Sequence, residues 1–251
     1  MEEKFMGIDI IYDKNLNYED IQFYKKLIIE TFNEMNFEPK IDGYSLVRKI
    51  ELCCEKDKRL GSYEAVFRRI VGSIIIHVNI HEEDEKVNFK ELLFHELTHA
   101  IFEFNIFYKE LRNYEYLNYE YPLSFINEYN TYKKTYNYFI KELGEEYAKR
   151  LKNHFNDIHD ELNNFKYIEN NNENKDYLMN LLGNRFSLSV IFFELEEYSK
   201  YPSLLLSGYE IKMVAFLQCY QDISSQNRVL LVKEYIDNLI QYYKVHIWKI
   251  K

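Results

Sequence analysis

The sequence is poor in the residues that mark fibrous, linker-like or cross-linked chains. Seven Gly and three Pro in 251 residues exclude a collagenous or disordered chain. The three cysteines, Cys53, Cys54 and Cys219, form no spaced framework and no CxxC pair. They therefore offer neither a disulfide scaffold nor a thiolate metal site. Apolar runs such as Leu92–Phe94 and Val190–Phe193 fall far short of the roughly 20 residues that span a bilayer. The opening MEEKFMGIDIIYDKN lacks the basic end and apolar stretch of a secretory signal. There is no long Lys/Arg run, and 32 Lys+Arg against 41 Asp+Glu leave a net charge of −9. That balance argues against a general nucleic-acid or anionic-membrane binder. These absences lead us to expect a reduced, cytoplasmic, soluble protein with neither a nucleic-acid nor a membrane partner.

What is present suffices for a well-buried core, since 47% of the residues are hydrophobic. The length fits one large domain or two small ones. The 24 Tyr are spread along the whole chain and mark no site.

Patterning points to an α+β chain, mostly α. Asn17 can cap a helix to about Asn36 whose apolar face is Ile21, Tyr24, Leu27, Ile28, Phe32 and Met35. Ser45–Glu55 is ambiguous between helix and strand. The β-branched text from Tyr63 to Ile80, broken at Gly72–Ser73, reads as a hairpin or two strands. Ile74, Ile76, Val78 and Ile80 fall on one face of the second strand, and Ile75, His77, Asn79 and His81 on the other. Asn88 with Glu91 three residues later has capping-box spacing, so a helix is expected from there to about Phe104. Pro122 is expected to break the connection that follows. Helices then run from Ser124 to about Leu143 and on to about Tyr167, and four more lie near Tyr177–Leu182, Ser187–Lys200, Gly208–Gln221 and Gln226–Trp248. The polar stretch Ile168–Lys175 divides the chain into an expected first domain, 1–167, and a helical C-terminal region, 176–251.

One motif carries chemistry: His95-Glu96-Leu97-Thr98-His99. On a helix, the i and i+4 histidines project from one face about 6 Å apart, so both imidazoles can reach one metal ion. Catalytic zinc takes three protein ligands and a water. Glu96, rotated about 100° from His95, can stand beside that water. A zinc-activated water near neutral pKa would lose its proton to the carboxylate and attack a carbonyl.

A strand, an acidic turn and the HELTHAIF-bearing helix together resemble a zincin metallopeptidase core over roughly residues 60–135. The metzincin extension would need Gly at Phe102 and His at Asn105, and has neither. The resemblance is therefore to the gluzincin type, which implies a zinc-ligating Glu on the next helix. Candidates are Glu103, Glu110, Glu115, Glu120 and Glu128. A straight helix cannot fold Glu103 back onto the metal, and Glu110, Glu115 and Glu120 fall in or near the irregular connection. Glu128 is the choice. Asn127-Glu128 matches the start of the thermolysin-like pattern, which then departs at Thr131 and Tyr132. Glu128, Asn130 and Tyr132 follow the ImmA/IrrE-like pattern, which departs at Tyr129 and Lys133, where small residues are usual. The resemblance implies a peptidase acting on a protein or peptide substrate, in the ImmA/IrrE-like case a cytoplasmic regulator that cleaves a transcriptional repressor.

His77 and His81 sit ~13 Å apart on a strand and are expected to be half-exposed. His154, His159 and His246 read as solvated. Two function classes follow. The first is a zinc metallopeptidase with His95, His99 and Glu128 as Zn²⁺ ligands and Glu96 as general base. The second is a catalytically silent module of the same fold that binds a protein partner. The intact Glu96 favours the first, because a scaffold has no use for that carboxylate. The sequence carries no signal for oligomeric state.

Overall fold

The computed structural model describes residues 1–55, 57–60, 64–68, 71–79, 84–105, 120–168, 171–194, 208–219 and 226–249. The chain divides into two compact units, Met1–Lys109 and Glu110–Lys251. It is mostly helical with a small mixed sheet. The stretch Ile168–Lys175, expected to divide the chain, lies inside the second unit.

In the first unit, β1 (Glu2–Phe5) and β2 (Ile8–Tyr12) form a hairpin that leads into α1 (Tyr18–Met35). A short ribbon, β3 (Lys40–Ile41) with β4 (Tyr44–Ser45), precedes β5 (Lys49–Cys53). β6 (Ala65–Arg68), β7 (Ser73–His77) and α2 (Glu85–Glu103) follow. Among the described residues, five strands make one sheet in the order β1-β2-β5-β7-β6, with β2, β5 and β7 parallel and both edge strands antiparallel. The ambiguous Ser45–Glu55 is thus largely strand, because Ile50 and Leu52 fill the core between β2 and β7.

Asn17 caps α1 as its sequence signals. Its side chain accepts from the N–H of Glu19 and Asp20, and Asp20 accepts in return from the N–H of Asn17. One sheet face, made of Ile8, Ile10, Ile50, Leu52, Ile74 and Ile76, shares a core with the apolar stripes of α1 and α2. Ile75, on the other face, is also fully buried.

The expected start of α2 needs correction. The helix begins at Glu85 with Asp84 at the cap, so Asn88 lies within it. Glu85 explains the earlier start. Buried at that end, it accepts from the Tyr24 hydroxyl at 2.6 Å and from the Asn79 N–H at 3.2 Å, which ties the first turn to α1 and to the chain leaving β7. A side chain anchored in the core outweighs a local capping preference.

The second unit is helical: α3 (Glu120–Leu143), α4 (Glu145–Asn163), α5 (Asn172–Glu194), α6 (Gly208–Cys219) and α7 (Gln226–Tyr242), which ends in a π-helical turn, Tyr243–Ile247. Pro122 does not precede α3 but sits in its first turn, where a helix needs no N–H donor. α5 runs through residues 183–186, which separate the expected helices Tyr177–Leu182 and Ser187–Lys200. Residues 178, 179 and 181 to 192 of α5 are buried, so the helix has no polar face to betray it. α3 packs most extensively against it. Among the described residues no helix is long and apolar enough to cross a membrane.

Candidate metal centre

α2 presents two sides with different work. Phe89, Leu93, Leu97, Ala100 and Phe104, spaced three and four apart, form the stripe that enters the core. His95 and His99 are offset from that stripe by about 200° from Leu93 and Leu97 respectively, so the helix that anchors in hydrocarbon also points two imidazoles elsewhere. Their Nε2 atoms are 2.9 Å apart, the convergence that i, i+4 spacing promises. The rings cross at 82° with centroids 4.6 Å apart.

Both histidines are nearly buried, at 9% and 8% exposure. Burial, and secondly the neighbouring His99, push the His95 imidazole well below its ordinary pKa. His95 is therefore neutral at pH 7, the form in which an imidazole nitrogen can ligate a metal. Glu96 is buried beside them at 5% exposure.

Glu128 lies on α3, one helical turn before Tyr132. Its Oε2 accepts from Asn180 Nδ2 of α5 at 2.9 Å. His95 and His99 belong to the first unit and Glu128 to the second; as donor types, two imidazoles and a carboxylate could hold a metal ion. The donors fit zinc: two imidazole nitrogens and a carboxylate oxygen make a three-ligand set that leaves a fourth position for water. Of the other carboxylates considered, Glu103 ends α2 and Glu120 begins α3, while Glu110 and Glu115 lie outside the described residues.

No protein-family model, curated protein or solved structure matches the chain.

The remaining histidines divide differently from expectation. His77 Nδ1 lies 2.6 Å from Glu64 Oε2, and its Nε2 lies 3.2 Å from the Cys54 carbonyl, so protein partners occupy both nitrogens. His81 lies outside the described residues. His246 is exposed, as expected. His154 and His159 are not simply solvated. His154 Nε2 accepts from Asn184 Nδ2 at 2.9 Å, and His159 Nδ1 accepts from Arg185 Nη1 at 3.2 Å. α4 reads as a charged surface helix, but these two positions turn inward toward the polar groups of α5.

Sequence reading also misses Asn180 and Gly183. One signal was available: a lone glycine inside a long apolar helix usually marks a close approach. A Cβ on Gly183 would lie 2.5 Å from Glu128 Cβ and 2.9 Å from the Tyr129 nitrogen. The small residue that lets backbone approach backbone at Glu128 is therefore on α5, not at position 129, where Tyr129 is buried in the helical unit and stacks on Phe125.

Proposed function

We propose that the protein is a zinc-dependent metallopeptidase of the gluzincin type, cytoplasmic, that hydrolyses peptide bonds in a protein or peptide substrate. The observation that carries this reading is the convergence of the His95 and His99 imidazoles on one face of α2, their Nε2 atoms 2.9 Å apart, with Glu96 next to the first of them. His95 and His99 would donate imidazole lone pairs to Zn²⁺, and Glu128 a carboxylate oxygen. Zinc, when bound, lowers the pKa of a water towards 7 and polarises a carbonyl. Glu96 would take a proton from the attacking water on a carboxylate oxygen and return it to the leaving amine. Burial of Glu96 strengthens its interaction with a developing charge, because little solvent screens it.

The test pairs metal analysis with proteolysis. Wild type and Glu96→Gln should each hold one zinc per chain, and His95→Ala with His99→Ala should lose it. Incubated with lysate of the source organism, wild type should generate new peptide termini, and Glu96→Gln should generate them about 10²–10⁴-fold more slowly. If wild type generates no more termini than Glu96→Gln does, and both capture the same partner equally, the chain is a catalytically silent binding module instead. Unchanged zinc content in the double-histidine variant would end the metal assignment itself.

A further inference from the structure

α3 and α5 are stitched together by a polar seam that starts at the proposed metal ligand. Asn180 Nδ2 donates to Glu128 Oε2 at 2.9 Å and also lies 3.2 Å from the Tyr132 hydroxyl. One turn further along both helices, the Tyr136 hydroxyl donates to Asn184 Oδ1 at 2.7 Å, and Asn184 Nδ2 donates to His154. The two asparagines are spaced i, i+4 on α5. Glu128, Tyr132 and Tyr136 are spaced i, i+4, i+8 on α3, so the same faces meet along the seam. The contact is possible because Gly183 has no Cβ: any larger residue would press on Glu128 Cβ. A carboxylate faces the asparagine, so the amide must turn its NH₂ towards it, because two oxygens there would repel.

We propose that Asn180 is a positioning residue: by holding one oxygen of Glu128 it fixes the rotamer in which the carboxylate would serve as a metal ligand, with Gly183 setting the helix separation at which this hydrogen bond forms. The inference rests on the zinc reading above. Its physical basis is general: a ligand whose second atom is already hydrogen-bonded loses less freedom on metal binding, and such outer partners typically change metal affinity by 10–100-fold.

The test is a double-mutant cycle read by zinc affinity, from competition with a chromogenic chelator, and by the melting temperature of the zinc-free protein. Asn180→Leu has similar volume and no donor, and should weaken zinc binding about 10–100-fold. In a Glu128→Gln background the same substitution should change affinity by less than about threefold, since the group it positions is gone. Its effect on the zinc-free melting temperature should be equal in both backgrounds, which separates positioning from folding. Tyr136→Phe removes a hydrogen bond of the same seam away from Glu128 and should leave zinc affinity unchanged. If Asn180→Leu does not fold, Asn180→Gln, whose donor stands one methylene further out, supplies the measurement and should give a smaller loss of the same sign. Wild-type affinity in a folded Asn180 variant, or an equal loss in the Glu128→Gln background, overturns the inference and leaves the zinc reading standing. Wild-type affinity in Glu128→Gln and in the double-histidine variant overturns the zinc reading instead.

Discussion

The two units solve the same problem, filling an interior, with opposite materials. In the sheet unit the backbone satisfies itself in the ladder, and the side chains between the strands and α1 and α2 are mostly hydrocarbon. Its ion pairs sit at the rim: Lys25–Glu3, Lys49–Glu51, Arg59–Glu51 and Lys90–Glu34 all keep part of each partner in solvent. In the helical unit α5 is buried on all sides from residue 181 to 192 and yet carries Asn184, Arg185, Ser187 and Ser189 inside. Each has a partner. The Arg185 guanidinium meets Glu210 at 2.9 Å with both side chains at most 5% exposed, and the Tyr243 hydroxyl donates to the same carboxylate at 2.6 Å. Ser187 and Ser189 donate to carbonyls of their own helix. A hydrocarbon core tolerates imperfect neighbours at moderate cost, whereas a buried polar network works only when every member is paired.

The comparison is broken most directly at Arg185. Arg185→Leu strands Glu210 in the interior and should cost roughly 3–5 kcal/mol, read as lost hydrogen-exchange protection across α5. Adding Glu210→Leu should recover much of that loss, because two leucines need no partner. A double variant no more stable than the single one would contradict the buried-pair account. In the sheet unit, Ile50→Ala removes a fully buried side chain of the middle strand and should cost about 2–4 kcal/mol in urea unfolding, with no second-site polar rescue.

Acid should distinguish the units next. Burial holds His154 below its ordinary pKa, so over part of the range below about 6.5 the unfolded chain binds a proton that the folded chain refuses. Stability is then full above pH 6.5 and falls as pH drops below it, by up to about 1.4 kcal/mol per pH unit for this one group. His154→Gln keeps an acceptor for Asn184 and should flatten that part of the slope. An unchanged slope would remove His154 as its source. The smallest effect is expected at the surface of the sheet unit. Asn17→Ala deletes the capping box of α1 and should cost about 1 kcal/mol, visible as faster exchange of the Glu19 and Asp20 amides.

Local rules read well where local physics decides. The Asn17 cap, the apolar stripe of α1, the antiparallel pair around Gly72 and the HExxH spacing on α2 are all interactions within a few residues, or within one repeat of helix or strand. They misread places where a distant group outbid a local preference. Asn88 yields to Asp84 because Glu85 is held by Tyr24 from 61 residues away. The gap expected between Leu182 and Ser187 is helical, because α3 and His154 engage Gly183 and Asn184 and the helix continues.

By itself the sequence determined the α+β class, the amphipathic helices, and a pair of imidazoles separated by one helical turn, because periods of two and 3.6 residues are built into the chain. Only the tertiary structure decided that Asn180 holds Glu128, that Gly183 lets α3 approach α5, and that histidines on a charged helix turn inward. These depend on how helices distant in sequence pack, and that is settled by volume and hydrogen-bond complementarity across the interior, which no local period encodes.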